Sequence, residues 1–123
     1  MREQYPLDKL FLKYANRLWS GVPEMFYDRV FEDETLGHFF KNREKAYMRD
    51  HLESLLHHLV GGPKVYAGRD LKEAHKNLDI DSNDFELLIG HMRQAFIDAG
   101  IEDGDAEMII DRILEEKPKI VKS

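Results

Sequence analysis

The sequence predicts an all-α protein, on three observations. Met48, His51, Leu52, Leu55, Leu56 and Leu59 repeat at i, i+3, i+4, i+7, i+8 and i+11, the period of one helix face, and similar stripes recur along the chain. No stretch alternates apolar and polar residues as a half-buried strand would. The string Ile80-Asp81-Ser82-Asn83-Asp84-Phe85 reads as a capping box, with Ile80 able to staple onto Phe85.

Taken in order, Leu7, Leu10, Phe11, Tyr14 and Leu18 predict a first helix from Pro6 to about Leu18. Ser20-Gly21-Val22-Pro23 predicts a break and restart, with Ser20 as a cap and Pro23 in a first turn. A second helix then runs to about Glu32, burying Val22, Met25, Phe26 and Val30 with Tyr27 beside that face. Asp33 to Phe40 reads as a loop holding one tight helical turn, in which one of Phe39 and Phe40 fills the core while the other lines something else. In the helix of Met48 to Leu59, Arg49, Asp50 and Glu53 are expected to lie opposite the apolar stripe. The adjacent His57 and His58 point about 100° apart on a helix, make a poor chelating pair and are expected at the surface.

Two glycines and a proline at 61–63 end that helix, and Gly68 turns the chain before a short run in which Leu71, Ala74, His75 and Leu78 share a face. His75 therefore faces inward. A buried histidine can be a core imidazole with one satisfied nitrogen, or an axial ligand to a haem iron in an apolar slot, and spacing alone leaves both open. From Asp81 the next helix buries Phe85, Leu88, Ile89, Met92 and Phe96 before Gly100 stops it. A last helix from about Asp105 uses Met108, Ile109, Ile113 and Leu114, and the tail from Pro118 to Ser123 is expected to fray.

Composition narrows the function. At 123 residues, with 42% hydrophobic and 34% charged residues, residues 1–123 are expected to form a single globular domain. The net charge of -6, with basic residues scattered among acids, argues against a nucleic-acid partner. Without cysteine there is no disulfide, no thiolate-held zinc or iron-sulfur cluster and no cysteine nucleophile. No apolar run approaches the roughly 20 residues that span a bilayer, and the charged start does not read as a signal peptide, so no membrane partner and a cytoplasmic location are expected. Phosphate-loop, dinucleotide, nucleophile-elbow and H-E-x-x-H spacings are all missing, and no carboxylate pair stands out.

The strings FYDRV at 26–30, FF at 39–40, GGPKVYAGRDLKEAH at 61–75 and IDSNDF at 80–85 together closely resemble a truncated haemoglobin, over about four fifths of the chain. The resemblance implies a two-over-two helical sandwich around a haem, with His75 as proximal iron ligand and Tyr27 as the distal hydrogen-bond donor. It implies that Phe40 packs on the haem face, that Met48 and Leu52 face the bound ligand, and that Phe26, Leu55, Leu56, Leu71 and Phe85 line the rest of the cavity. Leu88 stands where other subgroups carry tryptophan, which points to the first subgroup.

Three departures from the family pattern follow. Met48 and Leu52 are apolar where many relatives carry glutamine, which leaves Tyr27 as the strong ligand partner among the three. The glycine pair usual between the first two helices is missing, with Tyr14-Ala15 near its place. His51 matches a position that in some relatives binds the iron as a second axial ligand and in others reaches a haem propionate. The covalent haem link of some relatives uses a late histidine, and none follows His91 here, so the resemblance implies haem b held without a covalent bond. The implied function is binding of dioxygen, nitric oxide or carbon monoxide by a monomer. The alternatives are nitric oxide dioxygenation with an external reductase, and bis-histidyl electron transfer or peroxide chemistry.

Overall fold

A computed structural model describes residues 10–40, 43–60 and 79–121. Its helices are α1 (Leu10–Glu32), α2 (Lys45–Val60), α3 (Ser82–Ala99), α4 (Asp103–Leu114) and the single turn α5 (Lys117–Ile120), with a 3-10 turn at Gly37–Phe39 after α1. Among the described residues there is no strand. Helix α1 packs against both α2 and α3, α3 packs against α4, and α4 reaches back to α2.

The predicted break at Ser20–Pro23 does not occur, and α1 runs through it with Pro23 inside. An interior proline removes one backbone donor and costs about 3 kcal/mol. Trp19, Val22, Phe26 and Val30 stay in phase across it and are all buried, and each large apolar side chain contributes roughly 1.5–3 kcal/mol on burial, which outweighs that cost. The indole N–H of Trp19 donates to the Phe11 carbonyl at 3.1 Å, its side chain reaching back along the helix toward the N-terminus.

The corner after α1 is built by local bonds. Asp33 Oδ1 accepts the N–H groups of Thr35 and Leu36 at 2.7 and 3.0 Å, and its carbonyl accepts that of Gly37 at 2.8 Å. A Cβ on Gly37 would meet the Phe31 carbonyl oxygen at 3.0 Å, so any other residue would require the turn to shift away from α1. Of the phenylalanine pair, Phe40 is buried in the core, as one of the two was expected to be, and Phe39 is half-buried against that same core.

Helix α3 begins with the predicted capping box, Asp81 accepting from Asp84 N–H at 2.8 Å and Asp84 from Asp81 N–H at 3.1 Å. Ile80 and Phe85 are both buried, as a staple requires. Gly100 ends the helix at φ 91°, and Ile101 N–H donates back to the Phe96 carbonyl at 3.0 Å. Past α4, Lys117–Ile120 winds into a helical turn where a frayed tail was expected, with Ile120 and Val121 half-buried against the core. Leu114, expected inside, is 41% exposed.

Candidate functional site

The residues singled out around Tyr27 converge at the junction of α1, the 3-10 turn and α2. The Tyr27 ring stands edge-on to three phenylalanines, with centroids 4.9 Å from Phe26, 6.4 Å from Phe31 and 6.1 Å from Phe40. Phe31 and Phe40 stack at 6.2 Å with 23° between their planes. Phe31 was not among the predicted site residues, yet it lies four residues after Tyr27 on one helix face, a signal that the helical period carries. Lys45, in the first turn of α2, is ion-paired with Asp28 and stands 5.7 Å over the Phe31 ring, joining the two helices beside this cluster.

Phe26, Phe40, Met48, Leu56 and Phe85 are buried in the core. Tyr27, Leu52, Leu55 and Leu88 pack against that core while each leaves part of its surface uncovered. His51 is half-buried and lies 4.3 Å, ring to ring, from the exposed Tyr47 one turn earlier. Leu71 and His75 lie outside the described residues.

Two side chains of α2 depart from expectation. His57 is 2% exposed, not at the surface, and its ring lies 4.9 Å from that of Phe11 on α1. Glu53, expected opposite the apolar stripe, turns instead toward α1: it accepts the Ser20 hydroxyl at 3.1 Å and lies 3.8 Å from His57 Nε2. The reason is that α1 crosses this side of α2, so the residues four apart at 53 and 57 both fall against α1. His58 is exposed, as predicted.

The chemistry of this set is that of an apolar wall with one phenol in it. A flat apolar group with a polar reacting centre fits it: aliphatic and aromatic side chains at the edge of the core, with area left to bury, and one O–H for orientation. Among the described residues no group of three or more His, Cys, Asp or Glu side chains could hold a metal ion. Among them, too, no helix is long and apolar enough to cross a membrane.

A family model described as bacterial-like globin matches residues 17–121. A group 1 truncated hemoglobin of Tetrahymena thermophila is 30% identical over 95 residues, 75% of this chain and 78% of that protein. The structure of the truncated hemoglobin of Tetrahymena pyriformis in its Fe(III) form is similar with a TM-score of 0.86 at 23% identity, covering 93% of this chain and 98% of that one. The 2/2 hemoglobin of Synechococcus sp., in the cyanomet state and with covalently attached heme, has a TM-score of 0.83 at 18% identity, covering 92% and 98%. The two-over-two helical fold implied by the sequence resemblance is thus the fold observed.

Proposed function

The chain belongs to the bacterial-like globin family as a group 1 truncated haemoglobin, and from that membership we propose that it binds a diatomic gas at a non-covalently held haem b, with His75 as the proximal ligand. The observation that carries this reading is the position of Tyr27, a phenol set among Phe26, Phe31 and Phe40 at the border of the core.

Bound haem supplies a ferrous iron able to take dioxygen, nitric oxide or carbon monoxide. His75 would hold the iron through an imidazole nitrogen lone pair. The Tyr27 hydroxyl would donate a hydrogen bond to a bound gas, most strongly to dioxygen. Met48 and Leu52 carry no hydrogen-bond donor, so selectivity among gases would rest on Tyr27. Phe40 and Phe85, with Leu55, Leu56 and Leu88, would hold the haem by dispersion and apolar burial. The absence of any histidine after His91 supports the non-covalent form.

A second reading is favoured by the half-burial of His51 on the same helix as Met48 and Leu52: in the absence of gas its imidazole would serve as a second ligand to the iron. The visible spectrum of the reduced, haem-loaded protein without added ligand tests both. A five-coordinate, high-spin spectrum is expected for an open distal site. A six-coordinate, low-spin spectrum that disappears in His51→Ala would establish the internal ligand. Lack of a specific Soret band would overturn the haem reading.

A further inference from the structure

The turn that carries Phe39 and Phe40 is gripped from α3 by His91. Asp33 shapes the turn with Oδ1, and its Oδ2 lies 2.7 Å from His91 Nε2. Both side chains are largely withdrawn from solvent, at 19% and 16% exposure for His91 and Asp33. On the other side of the ring, Arg29 Nε–H donates to Nδ1 at 3.4 Å. An imidazole that accepts at Nδ1 carries its hydrogen at Nε2, so Nε2–H donates to Asp33. That hydrogen bond, the largest influence, together with the N–H groups of Leu36 and Thr35, holds the Asp33 carboxyl below its usual range against the opposing effect of burial.

Arg29 is itself anchored by Asp98, 4.0 Å from its guanidinium. The bond from Nε2–H to the ionised Asp33 carboxylate is charge-assisted. The charged groups around His91 are thus Asp33 from the turn, Arg29 from α1 and, through Arg29, Asp98 of α3.

We propose that His91 is a positioning residue for the aromatic wall at Tyr27: its Nε2–H holds Asp33, and through Asp33 the Phe39–Phe40 turn, in place. The inference rests on the haem reading only in treating that wall as part of the gas site. Movement at Asp33 passes directly to the wall, because the turn it caps carries Phe40, which contacts both Phe31 and Tyr27.

The test compares the haem-loaded wild type with His91→Ala and His91→Gln by two readouts. One is the dissociation rate of carbon monoxide, and the other is the protection of the Thr35 and Leu36 amides from hydrogen exchange. His91→Ala removes the donor to Asp33, so both amides should lose protection and carbon monoxide release should change by about twofold or more. His91→Gln keeps an N–H donor for Asp33 and should restore both readouts toward the wild type. Wild-type protection and release in a folded H91A, or the same loss in H91Q as in H91A, overturns the proposal. Failure of the wild type to take up haem would instead overturn the haem reading, and amide protection alone would then decide the role of His91.

Discussion

The hydroxyl of Tyr14 donates to Asp105 Oδ2 at 2.5 Å, joining α1 to α4 across 91 residues of sequence. The same carboxylate oxygen accepts from Lys13 Nζ at 2.7 Å, and the Tyr14 oxygen in turn accepts the Glu102 N–H at 3.1 Å. One buried carboxylate thus closes a network that fixes the start of α4 on α1. Burial by itself pushes the Asp105 pKa up, but the Lys13 and Tyr14 hydrogen bonds outweigh it and hold the group below its ordinary value.

Asp105→Asn should destabilise the fold by about 1–3 kcal/mol, since it strips a charge-assisted acceptor from two donors. A carboxylate whose folded pKa is depressed contributes stability that is present above its unfolded pKa, about 4, and lost as pH falls below it through the folded value. Wild-type stability should therefore decline below about pH 4, and the decline should be shallower in D105N. Denaturant melts at several pH values check both outcomes.

Tyr27→Phe removes the one hydroxyl from the aromatic cluster and leaves its ring contacts in place. Dioxygen release should speed up by about threefold to tenfold or more, the equivalent of a hydrogen bond of roughly 0.5 to 1.5 kcal/mol or a stronger charge-assisted one. Carbon monoxide, a poorer acceptor, should respond less. Stopped-flow displacement measures both rates, and an unchanged dioxygen rate would remove Tyr27 as the donor.

His75→Ala should weaken haem retention and abolish the wild-type spectrum. Transfer of haem to an excess of a high-affinity acceptor globin follows the loss directly. Equal retention and an identical spectrum in the variant would rule out His75 as the ligand.

Gly37→Ala sets a methyl group 3.0 Å from the Phe31 carbonyl oxygen. The obstacle is helix backbone, which does not yield as a side chain would, so the turn must move away from α1. A loss of about 1–3 kcal/mol is expected from such overpacking. Because Phe40 shifts against Phe31 with the turn, gas release should change as well. Thermal melts and carbon monoxide kinetics read the two effects separately.

What the sequence by itself determined is local. The capping box at Asp81 and Asp84, the stop at Gly100 and the apolar stripe of α2 need only residues three or four apart, distances that one helical turn sets without help from the rest of the chain. The resemblance carried by short strings grouped Tyr27 with Phe40, and the structure brings the two rings to 6.1 Å. Tertiary structure decided the rest. Pro23 stays inside a helix because Trp19, Val22 and Phe26 are buried together on one face. His57 lies inside, and Glu53 beside it, because α1 crosses that face of α2, which the period of α2 cannot announce. The Asp33–His91 and Tyr14–Asp105 bonds join residues 58 and 91 positions apart. Such partners are chosen by which helices meet, and the sequence surrounding each of them shows only a polar side chain that could equally have faced water.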